Sequence, residues 1–171
     1  MEALLNDETL SEVTFVVGDV RIHALRAVLI SRSEYFRAML TSGFDEGQEA
    51  GREITIGSTT PEAFKAILRY LYTDELRFPD EHLMEVMHKA KEIQLERVYK
   101  HAVGRASRLL SVHNVVNWLV KADEYGMEEL RTAALTFFTR NLPRIKAEAK
   151  QSLQGLSERP QLMVELISSF D

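Results

Sequence analysis

Residues 22–46, "IHALRAVLISRSEYFRAMLTSGFDE", place one histidine, three arginines, three serines and three acids within a short span. Such residues are the raw material of nucleophilic catalysis, in which a base activates a hydroxyl and a third group orients the base. The spacing does not assemble that machinery. His23 has no paired nucleophile and orienting acid in the sequence. Ser33 lacks the Gly-x-Ser-x-Gly elbow that would expose a nucleophile on a strained turn. Ser33 reads instead as a helix cap, its hydroxyl oxygen taking up a free backbone N–H. His23 reads as a strand-to-helix joint satisfied by local hydrogen bonds. His82, His88, His101 and His113 form no HExxH or comparable ligand spacing and read as scattered surface residues. The chain contains no cysteine, which excludes disulfides, thiolate metal sites and cysteine nucleophiles. No catalytic residue, metal or cofactor is expected, and the chain is read as a non-enzyme.

Those polar residues must be positioned by short strands and helices. In "SEVTFVVGDVRIH", Val13, Phe15 and Val17 alternate along one strand, and Val20 and Ile22 along a second, with Gly18-Asp19 as a two-residue hairpin turn. After His23 the period becomes helical: Leu25, Val28 and Leu29, then Tyr35, Phe36, Met39 and Leu40, with Gly43 as the stop. "EITIG" is a third strand. In "STTPEAFKAILRYLYT", Thr60 is the expected N-cap, Pro61 suits the first helical position and Glu62 suits the positive end of the helix dipole. Leu83, Val86, Met87 and Ala90 mark another helix, and "LERVYKHAVGRASRLL" continues as helix. From Ser111 onward every segment reads helical. Ser111 is the cap and Gly126 the stop of one helix, which carries Trp118, Ala122 and Tyr125 on one face. "MEELRTAALTFFTRN" and "LPRIKAEAKQSLQGL" follow. A last helix carries Met163, Leu166, Ile167 and Phe170 on one face.

A length of 171 residues suits one or two small domains with a real core. The net charge of −5 provides no domain-wide basic field for nucleic acid. "LPRIKAEAK" is locally basic and reads as a solvated helix face. Apolar runs stay far below the ~18 residues of a membrane span, and the acidic N-terminus lacks a signal peptide's basic region. A soluble protein of the cytoplasm and/or nucleus is expected, with no nucleic-acid or membrane partner.

Taken in order, these motifs resemble a BTB/POZ domain: Glu12-Val13-Thr14-Phe15 on the first strand; His23, Arg26, Val28 and Leu29; Ser33, Tyr35 and Phe36 with Met39 and Leu40; and Phe64, Leu68, Tyr70, Tyr72 and Thr73. The segment "LLSVHNVVNWLVKADEYGMEELRTAALTFFTRN" resembles the 3-box and partial BACK region of Cullin-3 adaptors. The resemblance implies an α+β BTB/POZ fold over residues 1–106, short strands capped by a helical cluster, and a helical 3-box/BACK-like extension over 107–171. Two features depart from the family pattern: Glu12 stands where Asp is usual, and Tyr99 stands near a common Cys.

The resemblance further implies a homodimer. Leu4, Leu5 and Leu10 are apolar for a free terminus, and with Val13 they form the expected dimer interface, of the class that buries roughly 1,200–2,000 Å² or more. Glu12 and Arg26 pair inside the fold, line a charged groove at that interface, or stand as two solvated charges. Phe44, in "SGFDEGQE", lies among acids and glycines. It either folds back onto its own domain or, with Glu46, forms the hydrophobic-x-Glu motif through which BTB adaptors meet Cullin-3. Tyr70 and Tyr72 belong to the helical core or to the same recognition surface. The implied function is a dimeric adaptor that recruits protein substrates to a Cullin-3 RING ubiquitin ligase, with the substrate held by a module not identified in the sequence. The alternative is a BTB scaffold, transcriptional or cytoskeletal, that only oligomerises.

Overall fold

The computed structural model describes residues 4–41, 52–157 and 159–168. Phe44 and Glu46, and the helix stop expected at Gly43, lie outside these residues, as does Phe170. The chain divides into two compact units, Met1–Ala102 and Val103–Asp171.

The first unit is built on a three-stranded sheet. Strands β1 (Val13–Val17) and β2 (Val20–Ala24) form the expected hairpin, and Gly18 takes φ +60° at the first position of its two-residue turn. Strand β3 (Arg52–Thr55) lies on the other side of β1 and runs parallel to it, with Phe15 opposite Ile22 on β2 and Ile54 on β3. The alternation read from the sequence is obeyed: Val13, Phe15 and Val17 are buried while Thr14 and Val16 are half-buried.

Helices α1 (Arg26–Arg32), α2 (Glu34–Thr41), α3 (Pro61–Thr73) and α4 (Leu83–Glu92) complete this unit with the first turns of α5 (Glu96–Leu109). Ser33 caps α2, its Oγ accepting the Phe36 N–H at 3.3 Å. Thr60 caps α3 in the same way, accepting the Ala63 N–H at 3.3 Å, with Pro61 at the first helical position and Glu62 in the first turn. The core is aromatic at its centre. Phe15, Phe36 and Phe64 are fully buried, with Phe15 5.1 Å from Phe64 edge to face and 5.5 Å from Phe36.

The end of α4 shows where the sequence departs from the usual helix stop. Gln94 takes φ +58°, its N–H donates to Lys91 O at 3.1 Å, and the Leu95 N–H donates to Ala90 O at 2.8 Å. This is the paired-bond C-cap whose left-handed residue is normally glycine. Helix α6 (Val115–Glu124) ends on the same arrangement with Gly126 there, φ +60°. Because the Gln94 side chain is exposed, little is lost by removing it. Gln94→Gly is expected to raise stability by about 0.5–1 kcal/mol through relief of the left-handed strain. Urea denaturation checks this; a lower midpoint would mean that the Gln94 side chain is holding something.

The second unit holds α6, α7 (Glu128–Glu148), a 3₁₀ segment (Lys150–Leu156) and α8 (Pro160–Ser168). Its core joins Val115, Val116 and Leu119 of α6 to Ala134, Phe138 and Ile145 of α7, and to Leu162 and Leu166 of α8. Four expectations are corrected here. Helix α6 buries Val115, Val116, Leu119 and Ala122, while Trp118 and Tyr125 are only half-buried. Helix α7 runs through Pro143 without a break. Proline inside a helix costs about 3 kcal/mol, but Ile145 beyond it continues the stripe of Ala134 and Phe138 and is fully buried. On α8 the inward residues are Leu162 and Leu166, whereas Met163 and Ile167 are 41% and 66% exposed. At the start of α6 the N-cap position falls on Asn114 and not Ser111, with no side-chain cap bond to the helix; Asn114 Oδ1 instead accepts the Ser111 N–H and its Nδ2 donates to Leu109 O, each at 2.8 Å.

Helix α8 is tied down electrostatically as well. The Arg131 guanidinium donates through Nη1 to Glu165 on α8 at 3.0 Å and through Nε to Asp123 on α6 at 2.9 Å. Its hydrogen bonds to Glu165 first, then to Asp123, hold its proton above even the ordinary arginine range.

Candidate functional site

The N-terminus of α1 gathers several residues singled out in the sequence. A helix opens with unpaired backbone N–H groups that need acceptors. Here the N-cap position, Leu25, supplies none from its own side chain. Two distant residues do. The Tyr72 hydroxyl accepts the Leu25 N–H at 2.7 Å, and Glu12 Oε2 accepts the Arg26 N–H at 2.9 Å. Tyr72 is 4% exposed, and burial pushes its phenol up from the ordinary value. The Arg26 guanidinium points elsewhere, with Nη2 donating to Leu40 O at 2.8 Å near the end of α2. Glu12 and Arg26 each serve a helix end and do not bond to one another through their charged groups.

His23 is satisfied locally. Its N–H donates to Asn6 Oδ1 and its carbonyl accepts the Asn6 N–H, both at 3.0 Å, while Nδ1 lies 3.1 Å from Thr14 Oγ1 across the hairpin. Asn6, at φ +66°, thus covers the outer edge of β2. It also anchors the N-terminal segment, where Leu4 and Leu5 are half-buried and Leu10 is 53% exposed. Asp7 shapes the turn beyond, accepting the N–H and hydroxyl of Thr9 at 2.9 and 2.7 Å, and the Thr9 hydroxyl holds its carboxyl below the usual range. Of the four residues expected at a dimer interface, Leu10 offers the most surface. Val13 is buried under its own fold at the centre of the sheet, opposite Ala24 and Arg52, so the surface reading does not extend to it.

Tyr70 and Tyr72 part company. Tyr72 is used inside, at the start of α1. Tyr70 is half-buried and lines a cleft of about 290 Å³ where α1, the end of α3 and the α4–α5 turn meet. Arg32 organises its wall: Nε donates to Leu71 O at 3.2 Å, covering a free carbonyl at the end of α3, and Nη2 pairs with Asp74. Asp74 itself sits at φ +60°, its N–H donating to Tyr70 O at 2.8 Å. The remaining wall, Gln94 to Arg97, was not anticipated, since nothing in that stretch of sequence stands out by residue type. A cleft of this size is at the lower edge of small-molecule pockets and suits one or two protein side chains.

Among the described residues no group of three or more His, Cys, Asp or Glu could hold a metal ion. No helix among them is long and apolar enough to cross a membrane.

Comparison with known proteins places this geometry in a family. A model of the BTB/POZ domain matches residues 1–106. The chain is 32% identical over 171 residues to BTB/POZ domain-containing protein 9 of Rattus norvegicus, a match covering 98% of this chain and 28% of that protein. It is 28% identical over 145 residues to Kelch-like protein 28 of Mus musculus, covering 85% of this chain and 25% of that protein. The BTB/POZ and MATH domain-containing protein 6 of Arabidopsis thaliana is 25% identical over 93% of this chain and 42% of its own length. The chain thus spans less than half the length of each of these relatives. Hairpin, capped helices and aromatic core over residues matched by the family model lead to one conclusion: this chain belongs to the BTB/POZ domain family.

Proposed function

We propose that the protein is a dimeric adaptor that brings protein substrates to a Cullin-3 RING ubiquitin ligase. Its part is proximity: it holds a substrate beside a ligase whose chemistry resides in other subunits, which raises the effective concentration of the reacting groups. It acts in the cytoplasm and/or nucleus and performs no reaction of its own. The observation that carries this reading is the helical unit that follows the BTB match. Helices α6 and α7 form an apolar core of their own directly after α5, in the stretch that resembles a 3-box. An oligomerisation scaffold has no need of such an extension, whereas an adaptor uses one to lengthen its contact with the cullin. The Tyr70 cleft supports the same reading, because it keeps one tyrosine of the motif at the surface while the other is spent inside.

Calorimetry with the Cullin-3 N-terminal domain tests the proposal. The full chain is expected to bind. Phe44→Ala is expected to weaken binding about thirtyfold or more, the usual cost of truncating an aromatic anchor at an interface hot spot. Glu46→Ala costs less, since a rim charge contributes about 1 kcal/mol or below. Light scattering should show both variants as dimers like the parent. A parent that dimerises but shows no cullin binding leaves the scaffold reading in place.

A further inference from the structure

The charge balance of the Tyr70 cleft is uneven in a way that names what it takes. Two acids and two arginines line it. Asp74 is paired with Arg32 through Nη2, and the Arg32 Nε donates to Leu71 O. Glu96 is paired with Lys100 one turn along α5, at 2.9 Å. Both acids therefore carry their own cation. Arg97 is exposed and, among the described residues, makes no ion pair or hydrogen bond through its side chain. It also stands in the first turn of α5, where the positive end of the helix dipole disfavours a cation and favours an anion. Beside it, Gln94 occupies a left-handed position normally given to glycine. Two local rules are broken on one wall of one cleft, which is the pattern of a site kept for binding.

We infer that this cleft receives a carboxylate side chain of a docking protein, with Arg97 as its ion-pairing residue and the Tyr70 hydroxyl and Gln94 amide as flanking donors. Arginine meets a carboxylate through two parallel N–H donors, and the backbone N–H groups at the start of α5 add to the attraction. A phosphate fits less well, because a second negative charge meets Asp74 and Glu96 and finds no second free cation. The inference rests on reading the cleft as a docking face, and it adds the chemistry of the partner to that reading.

The test has two arms on the full chain. In the first, an alanine-based helical peptide bearing a single Glu is titrated while the Arg97 Nε–Hε resonance is followed, alongside the same peptide with Gln and with phosphoserine. The Glu peptide should shift that resonance with an affinity about tenfold or more above the Gln peptide, a difference of about 1.4 kcal/mol. The difference should vanish in Arg97→Gln when the Tyr70 ring resonances are followed instead. Equal responses to Glu and Gln, no response to either, or a phosphoserine peptide that binds tighter than Glu each overturns the inference. In the second arm, Arg97→Glu is expected to weaken the Cullin-3 N-terminal domain about tenfold. A parent that ignores the cullin yet passes the peptide arm sinks the ligase reading and leaves the carboxylate cleft standing. Cullin binding unchanged by Arg97→Glu, with the peptide arm passed, assigns the cleft to a different acidic partner.

Discussion

Phe64→Ala is expected to lower the unfolding free energy of the BTB unit by about 3–5 kcal/mol, the range for removing a fully buried aromatic side chain. Phe64 has no exposed surface and sits on α3, between a capped start and a fixed end. Its ring meets Phe15 on the central strand edge to face, and Phe15 in turn meets Phe36 on α2. Truncation therefore removes apolar burial and an edge-to-face pair, and it leaves a void between the sheet and α3. A close-packed interior relaxes only partly around such a void. Phe64→Leu keeps most of the volume and should recover more than half of the loss. Urea denaturation of the three proteins measures this. A loss below about 1 kcal/mol for the alanine variant would show that the sheet and α3 are not coupled through this triad.

Lys89 provides the second large effect, and here two contributions compete. Its side chain is 2% exposed, yet its ammonium donates to Gly57 O and to Glu92 Oε2, each at 2.6 Å. Burying an ammonium is expensive, so the two bonds largely offset a desolvation cost and add little net stability. The partners left behind by a substitution are not trapped. Glu92 is 44% exposed and Gly57 is at the surface, so water replaces the lysine. Lys89→Met, which preserves the stem, is expected to stay within about 1 kcal/mol of the parent, since such replacements of buried charges are often neutral. Lys89→Ala empties the space of the stem as well and is expected to lose about 2–4 kcal/mol, as large-to-small core changes do. Thermal and urea unfolding of the pair separate packing from charge. Equal large losses in both variants would show that the ammonium, and not the stem, holds α4 to the loop after β3.

What could be read from the chain without coordinates was whatever is governed by neighbours in sequence. The alternation of Val13, Phe15 and Val17, the Gly18 turn, the Ser33 and Thr60 caps and the Gly126 stop each depend on a few adjacent residues, and the structure places each as expected. The buried faces of α6 and α8 are not legible in the sequence, because apolar residues occupy more than one side. Periodicity then admits two stripes, and only the neighbours packed against the helix choose between them. Pro143 shows the same override, with the burial of Ile145 outweighing a local helix breaker. The parallel pairing of β3 with β1 was not legible, since no turn connects the two strands. The roles of Glu12 and Tyr72 at the start of α1 span 14 and 47 residues, so residue type marked them as notable while the fold decided that they cap a helix. Tyr70 was marked by its motif, but its cleft was not, because Tyr70, Arg32 and the Gln94–Arg97 stretch come from separate segments and acquire a common purpose only when the ends of α1 and α3 meet the α4–α5 turn. Local rules propagate over one or two turns of chain; charge balance in a cleft belongs to the packing that creates it.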